Sequence, residues 1–586
     1  MNDTFVYDTV RHRWLHFSKP RRIVAAHAVA DVLPALRSVE NAVEGEGLHA
    51  AGFVAYDAAA AFDRALETRS DPSFPLLWFG LYDPPTVLEQ LPSATEKISM
   101  PRSWRSSISD ADYKKTVATI KRYIAEGDTY QVNFTYRLRA RFNGSPWSLF
   151  TRLTQRGEGG CAAFVETDDW AVCSVSPELF FRRDGISLLS RPMKGTAPRG
   201  TTLADDERRA HDLHLSVKDR AENIMITDMV RSDMGRIART GTVCTPDIFT
   251  VEKYPTVWQM TSSVEACTNA GVTELFRALF PPASITGAPK CRAMQIIKEL
   301  ECDPRRIYTG AIGFIAPGRQ VQFNVAIRTA LIDKRANQIE YGVGGGIVWD
   351  STAVLELKET QIKALVLKQP PGDFSLLETI LWRPQTGFHL LDRHLARLRD
   401  SASYFSFEIN LKNIRRKLAD LVKILPEKPH KIRLLLASGG WTTIQSRVLP
   451  DEPASRCPPS VCLAATPVNS SDPFLYHKTT RREPYERART ENPAFNDVIL
   501  WNSKGEITES TIANIVIETD GQLITPPASC GLLAGVQRAE MLAKGILRER
   551  VITVPQLKNA TRIYLINSVR GQYPVKLEQN GKSNSV

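Results

Sequence analysis

The chain has 586 residues, 43% of them hydrophobic and 24% charged, which is too apolar for intrinsic disorder and too long for one ordinary core, so two or three globular domains are expected. Nine cysteines without a Cys-x-x-Cys pair fit reduced thiols rather than a disulfide frame or a zinc-thiolate centre. The net charge of +11 is dispersed among acids instead of forming a nucleic-acid stripe, and is equally compatible with attraction of a small anion. The acidic start Met1 to Asp8 is unlike a secretory signal and no run of about 18 apolar residues occurs. The expectation is a cytoplasmic protein with no membrane or nucleic-acid partner.

In chain order, Val117, Ile120 and Ile124 recur at helical spacing, Gly127-Asp128 breaks the pattern, and Val132, Phe134, Tyr136 and Leu138 alternate as in a half-buried strand. Further helices are expected at about 205 to 238, 289 to 300 and 353 to 367, separated by strand-like runs. This mixture lacks regular βαβ alternation and reads as α+β. Residues 369–373, rich in proline and glycine, cannot continue a helix and are taken as a linker. Beyond it, Leu391, Leu395 and Leu398 form a helical stripe, and the alternating run from Ile512 to Glu518 meets Leu523-Ile524 through the hairpin signal Asp520-Gly521. This second part is again α+β, and the polar stretch 577–586 is expected to be disordered.

Two predicted helices carry acids three apart, Asp219 with Glu222 and Glu356 with Glu359, the latter followed by Lys363. That spacing puts each pair on one helix face. Facing one another, the pairs offer hard oxygen ligands for Mg²⁺, whose shell is completed by waters and an anionic substrate; on spacing alone, solvated helix faces are the commoner reading. Ser176-Pro177-Glu178 and Pro192-Met193-Lys194-Gly195-Thr196 place a carboxylate and a lysine at the ends of what read as adjacent strands. Lys194 by itself is an ordinary turn lysine; buried, it becomes a nucleophile, and Glu178 a general acid. The run Tyr341-Gly342-Val343-Gly344-Gly345-Gly346 fails the dinucleotide spacing. Close backbone approach to a carboxylate or a tight turn remains open for it.

Together with Gly127-Asp128, Gln131-Val132, Lys218-Asp219-Arg220-Ala221-Glu222-Asn223, Arg231-Ser232-Asp233-Met234-Gly235-Arg236, Ser284-Ile285-Thr286-Gly287-Ala288-Pro289-Lys290 and Ile327-Arg328-Thr329, these segments resemble the chorismate-utilising family over roughly residues 100 to 367. The resemblance implies a chorismate-binding β-sandwich with flanking helices, a catalytic domain at 101–368, and a loosely matched N-terminal part at 1–100. Lys194 is similar to the lysine of the aminodeoxychorismate synthase branch, since anthranilate synthases carry a small residue there. It would add to C2 of chorismate as the C4 hydroxyl leaves, helped by Glu178, before ammonia attacks C4. The same resemblance implies Mg²⁺ held by Glu222, Glu356 and Glu359 with Asp219 in support. It also implies substrate contacts from Gln131, Gly195, Thr196, Tyr308, Arg328, Gly344, Gly345 and Lys363. Gln259 and Ser232 depart from the usual histidine and asparagine.

In the second part, Lys478 and Glu509 considered singly are surface residues. Combined with Arg393-His394-Leu395-Ala396-Arg397-Leu398, Ala513-Asn514, Thr525-Pro526-Pro527, Gly531-Leu532-Leu533-Ala534-Gly535-Val536 and Asn567-Ser568-Val569-Arg570-Gly571, they resemble the fold-type IV pyridoxal-phosphate enzymes over residues 374–576, a two-subdomain α+β fold. The resemblance implies that Lys478 carries pyridoxal 5'-phosphate, Glu509 partners its ring nitrogen and Arg397 its phosphate. Val536 and Gln537 would add backbone N–H groups, Asn514 and Ser568 further cofactor contacts, and Arg570 a substrate carboxylate contact. The fusion then points to elimination of pyruvate, giving 4-aminobenzoate for folate. No Gly-x-Cys-x-Gly elbow occurs, so ammonia is expected from a separate glutamine amidotransferase subunit. A homodimer through the C-terminal domain is a further expectation by resemblance. The alternative is an anthranilate or isochorismate synthase fused to an aminotransferase; Lys194 and Gln131 speak against it.

Overall fold

The computed structural model describes residues 2–69, 71–94, 96, 98, 100–101, 103–154, 160–368, 374–450 and 457–578. The expected linker at 369–373 and the tail from 579 lie outside them. Two compact units are present, Met1–Pro198 with Ala210–Pro371, and Arg199–Arg209 with Gly372–Val586.

The first unit is built on one ten-stranded and one eight-stranded sheet. Phe17, Val165, Val172 and Leu331 of the larger sheet share a buried cluster with Phe53, Trp78, Tyr82 and Phe314 of the smaller, so the two sheets pack face to face. Their outer faces are buried too. Helices Val29–Glu46, Val217–Gly235 and Val272–Leu279 cover the smaller sheet, and Asp110–Ala125, Pro146–Thr154 and Lys290–Leu300 cover the larger. This is the expected α+β sandwich with flanking helices. Burial on both faces explains why strands such as Leu77–Tyr82 are buried along their whole length and show no polar alternation for a sequence reading to find.

The helix expected over about 205 to 238 is two helices, Leu203–Leu215 and Val217–Gly235. Ser216 separates them because its hydroxyl accepts from the Asp219 N–H and starts the second helix, satisfying a first-turn donor that a continuous helix would bond internally. The break puts Asp219 in a first turn and Glu222 one turn later. The glycine run is a correction of another kind. It forms no tight turn but the middle of the strand Gln338–Ile347, paired along its length with Gln131–Arg141.

In the second unit, a four-stranded sheet carries helices Leu391–Phe405 and Leu411–Val422. An eight-stranded sheet closes on itself where Ile507–Ser510 pairs with both Asp497–Trp501 and Asn514–Thr519, and Val461, Ile499, Ile515 and Leu565 are buried together in its core. The Asp520-Gly521 hairpin forms as expected, with both residues at positive φ, the conformation a two-residue type I′ turn requires.

Candidate functional sites

In the first unit one cavity of about 390 Å³ gathers Glu178, Lys194, Gly195, Thr196, Asp219, Glu222, Tyr308, Arg328, Gly344, Gly345, Glu356, Glu359 and Lys363. That is every candidate residue proposed for this half from sequence except Gln131. Pairing explains how residues far apart in sequence meet. Leu179 faces Arg191 across adjacent antiparallel strands, so Glu178, just before one strand, and Lys194, just after the other, lie at the same end. Register breaks between Met193 and Thr196 on the strand Met193–Pro198. Gly195 in this stretch has φ +91°, and a methyl built there would stand 3.0 Å from the Asp219 Cβ. Such a bulge turns side chains out of the regular alternation, here at Lys194.

Lys194 lies over bare backbone: a methyl built on Gly346 would be 2.7 Å from Lys194 Nζ and 3.1 Å from the Gln131 Cδ. Gln131 is fully buried, and neither its amide oxygen nor its nitrogen has a hydrogen-bond partner. A buried amide left open beside an amine is a polar group awaiting a ligand. Burial lowers the Lys194 pKa, which favours the neutral, nucleophilic amine. Glu178 accepts a 2.6 Å hydrogen bond from Ser284 Oγ. Burial pushes its pKa up to about 7, against the pull of Ser284 and Lys194, so a proton remains on it near neutrality.

The opposite wall is acidic. Burial raises Glu222 and Glu356, with Ser351 Oγ donating to Glu356 at 2.7 Å. Glu359 is held down by Lys363, 2.9 Å away, and Lys363 also donates to the Gly344 carbonyl. Among the described residues, no three acidic, histidine or cysteine side chains converge closely enough to hold a metal ion unaided. The donor set still fits Mg²⁺, because that ion commonly takes one or two carboxylates and completes its octahedron with water and substrate oxygens. Gly342 admits the Tyr308 ring, which would collide with a methyl there at 2.3 Å. Arg328 adopts φ +49°, a left-handed conformation uncommon outside glycine and often found at working sites.

Sequence reasoning missed Asn133, Lys218 and Tyr341, which also line the cavity, and gave Ser284 no role although its motif was marked. An expected result follows from the glycines: Gly346→Ala displaces the Lys194 amine and lowers turnover at this site by about 10-fold or more, with Tm almost unchanged. Parallel rate and melting measurements check it; a normal rate would mean that Lys194 has no fixed post over Gly346.

In the second unit, Lys478 is pinned by backbone. Its carbonyl accepts from the Leu377 N–H at 2.8 Å, and Thr480 N donates to the Ser375 carbonyl. Burial, then Arg397, lowers its pKa to about 8. Glu509 Oε1 accepts from Tyr485 Oη at 2.7 Å and from Leu533 N at 3.0 Å, while Oε2 meets only a 3.4 Å contact from Asn514. Burial raises Glu509 to about 7. A protonatable carboxyl with one oxygen oriented and the other open fits a pyridinium nitrogen. At the phosphate end, Gly535 precedes helix Val536–Ala543, leaving the Val536 and Gln537 N–H groups at its start.

The remaining candidates have partners within the chain. Arg397 donates to both oxygens of Glu378, at 2.8 and 2.7 Å, and to the Ala534 carbonyl at 3.2 Å, which leaves two of its five N–H groups for a phosphate. Burial opposes charge on Glu378, but Arg397 and His394 hold its pKa down to about 2. The Gln537 side chain meets His389, Ser568 Oγ donates to the Thr379 carbonyl, and Arg570 is exposed, with its guanidinium over Tyr573.

Fold and donor sets together define a two-domain chain with a buried lysine beside carboxyl groups in each half. The model of the chorismate binding enzyme family matches residues 85–369, and that of amino-transferase class IV matches residues 375–577. Aminodeoxychorismate synthase component 1 of Salmonella typhimurium is 34% identical over 337 residues, 53% of this chain and 74% of that protein. The Escherichia coli protein of the same name is 38% identical over 280 residues, 47% of this chain and 61% of its own length. The structure of anthranilate synthase component I from Streptococcus pneumoniae covers 60% of this chain and 91% of its own at 23% identity and a TM-score of 0.53, which shows a shared fold. The chain belongs to the chorismate binding enzyme family, with a class IV amino-transferase domain following. Among the described residues, no helix is long and apolar enough to cross a membrane.

Proposed function

We propose that the chain makes 4-aminobenzoate from chorismate in two steps, amination at C4 by the domain at 101–368 and elimination of pyruvate by the domain at 374–576, for folate synthesis in the cytoplasm. The residues before 101 complete the first domain, 369–373 link the two, and 577–586 form a tail. The observation that carries the reading is Lys194, a desolvated amine set between the Glu178 acid and the acidic wall of one cavity. Relatives named aminodeoxychorismate synthase component 1 support the branch.

Asp219, Glu222, Glu356 and Glu359 would hold Mg²⁺, which would supply positive charge for a substrate carboxylate. Arg328, Tyr308 and the backbone at Gly344 and Gly345 receive the other carboxylate, while Lys363, Gln131, Gly195 and Thr196 close the walls. Lys194 forms a bond to C2 as the two conjugated ring double bonds shift and the C4–O bond breaks, and Glu178 gives its proton to the departing hydroxyl. Ammonia then bonds to C4, both double bonds shift back, and Lys194 leaves as the free amine. A separate glutamine amidotransferase supplies the ammonia, so the purified chain should not hydrolyse glutamine.

In the second domain, bound pyridoxal phosphate supplies an electron sink beside the substrate nitrogen. Lys478 holds the cofactor and moves the C4 proton, Glu509 keeps the ring nitrogen protonated, and Asn514, Ser568, Val536, Gln537 and the free N–H groups of Arg397 orient the cofactor. Arg570 takes the substrate carboxylate. Loss of pyruvate leaves an aromatic ring, which makes the step downhill. We further propose a homodimer through this domain.

Incubation with chorismate, Mg²⁺ and ammonium tests the branch: product mass and spectrum should be those of 4-amino-4-deoxychorismate, and anthranilate or isochorismate would overturn it. Because Glu178 acts in its protonated form, the rate should fall as pH rises through about 7. Glu178→Gln should remove that limb and cost about 10²- to 10⁴-fold. A pH–rate series of both proteins checks this; an unchanged limb in the variant would assign it to another group.

A further inference from the structure

Two segments of the sequence motifs, Arg231 to Arg236 and Ser284 to Lys290, supply no reacting group to the steps above, yet they meet. Lys290 Nζ donates to Asp233 Oδ2 at 2.8 Å and to the Leu279 carbonyl at 3.3 Å. Beside Asp233 lies a second cavity of about 10 Å³, room for about one water. Its lining includes Glu178, Ser190, Val230, Asp233 and Ser284. Glu178 and Ser284 line the large cavity as well, so the Glu178 carboxyl forms part of the wall of both. Among the described residues lining the small cavity, Glu178 and Asp233 are the only carboxyl groups. Glu178 is 3% exposed and the Asp233 side chain 19%, so one end is dry and the other reaches solvent.

The proposed chemistry needs such a route. Replacing a C4 hydroxyl by neutral ammonia, with water leaving and the product amine protonated, consumes one proton per turnover. Glu178 gives up that proton and stands as a carboxylate until it is replaced. With substrate filling the large cavity, the replacement has to arrive from another side.

We propose that Asp233, positioned by Lys290, reloads Glu178 through a single water in the small cavity. The proton passes from solvent to Asp233, from Asp233 to the water and from the water to Glu178, so no charge is left behind. Asp233 touches no substrate and is a positioning and relay residue. The inference rests on the reading of Glu178 as the acid. The charged groups around the path are Lys194, facing Glu178 from strand Met193–Pro198, and Lys290, facing Asp233 from helix Lys290–Leu300.

The test uses the full chain with Mg²⁺, saturating chorismate and a fixed concentration of free ammonia. Asp233→Asn should lower kcat for amination by about 10-fold or more while KM for chorismate stays within about twofold, and should raise the solvent deuterium isotope effect on kcat. Asp233→Ala should regain rate when formate is added. Lys290→Met keeps the carboxylate but loosens it, and should shift rate and isotope effect less, in the same direction; it gives the reading if the Asp233 variants do not fold. An Asp233→Asn enzyme with wild-type kcat and isotope effect would overturn the relay. So would a loss shared by kcat and Tm, with an unchanged isotope effect and no formate rescue, which marks a mere clamp between two helices. Absence of aminated product from the wild-type chain would instead refute the reading of the site itself.

Discussion

Lys194→Ala abolishes amination of chorismate, by about 10³-fold or more, without loss of the fold. In the proposed mechanism the amine forms and breaks the bond that carries the ring from one C4 substituent to the other, and among the described residues lining the cavity no second lysine can take its place. Lys363 is tied to Glu359 and the Gly344 carbonyl, and Lys218 is exposed beside Glu222. Stability should hold or rise, because a lysine whose pKa is lowered by burial is desolvated at a cost that alanine does not incur. Lys194→Arg should be equally inactive, since guanidinium stays protonated and is no nucleophile. Product formation and thermal melting, measured side by side, check this; a variant that keeps its rate would show that direct attack of ammonia on chorismate suffices.

If the second domain has the proposed lyase activity, Lys478→Ala should stop formation of 4-aminobenzoate by a comparable factor and leave 4-amino-4-deoxychorismate in solution. Wild-type chain treated with pyridoxal phosphate and borohydride should keep the cofactor fixed at Lys478, shown by the mass of the peptide that contains it; the variant should keep none. Glu509 separates cofactor binding from chemistry. Its Oε2 is the open oxygen, so Glu509→Gln should still hold the cofactor but convert substrate about 10²-fold more slowly. Borohydride fixation on another lysine would remove Lys478 from its post.

Much of the cavity's lining was legible in the sequence. Acids three apart on a helix are a spacing signal, and Asp219, Glu222, Glu356 and Glu359 do line one wall. The hairpin at Asp520-Gly521 followed from turn chemistry alone. What the residues did not disclose were effects of tertiary placement. The glycines from Gly342 to Gly346 left a tight turn and a close backbone approach both open, whereas they thin a strand so that the Tyr308 ring and the Lys194 amine can lie against it. No local pattern distinguishes those two uses of glycine. The commitment of Arg397 to Glu378 was equally invisible, because Glu378 is an unremarkable acid within an apolar strand until its burial is known. Ser216 ended a helix that periodicity ran straight through; its N-cap chemistry was readable, but the apolar spacing on either side outweighed it.

The most direct measurement of the central claim is the balance of products. Purified chain, loaded with Mg²⁺ and pyridoxal phosphate and given chorismate and ammonium, is followed for pyruvate and for aromatic amines by mass. The account predicts 4-aminobenzoate and pyruvate in equal amounts, with neither formed by Lys194→Ala. Anthranilate with an equal amount of pyruvate, isochorismate with none, or transfer of an amino group to a keto acid would contradict it.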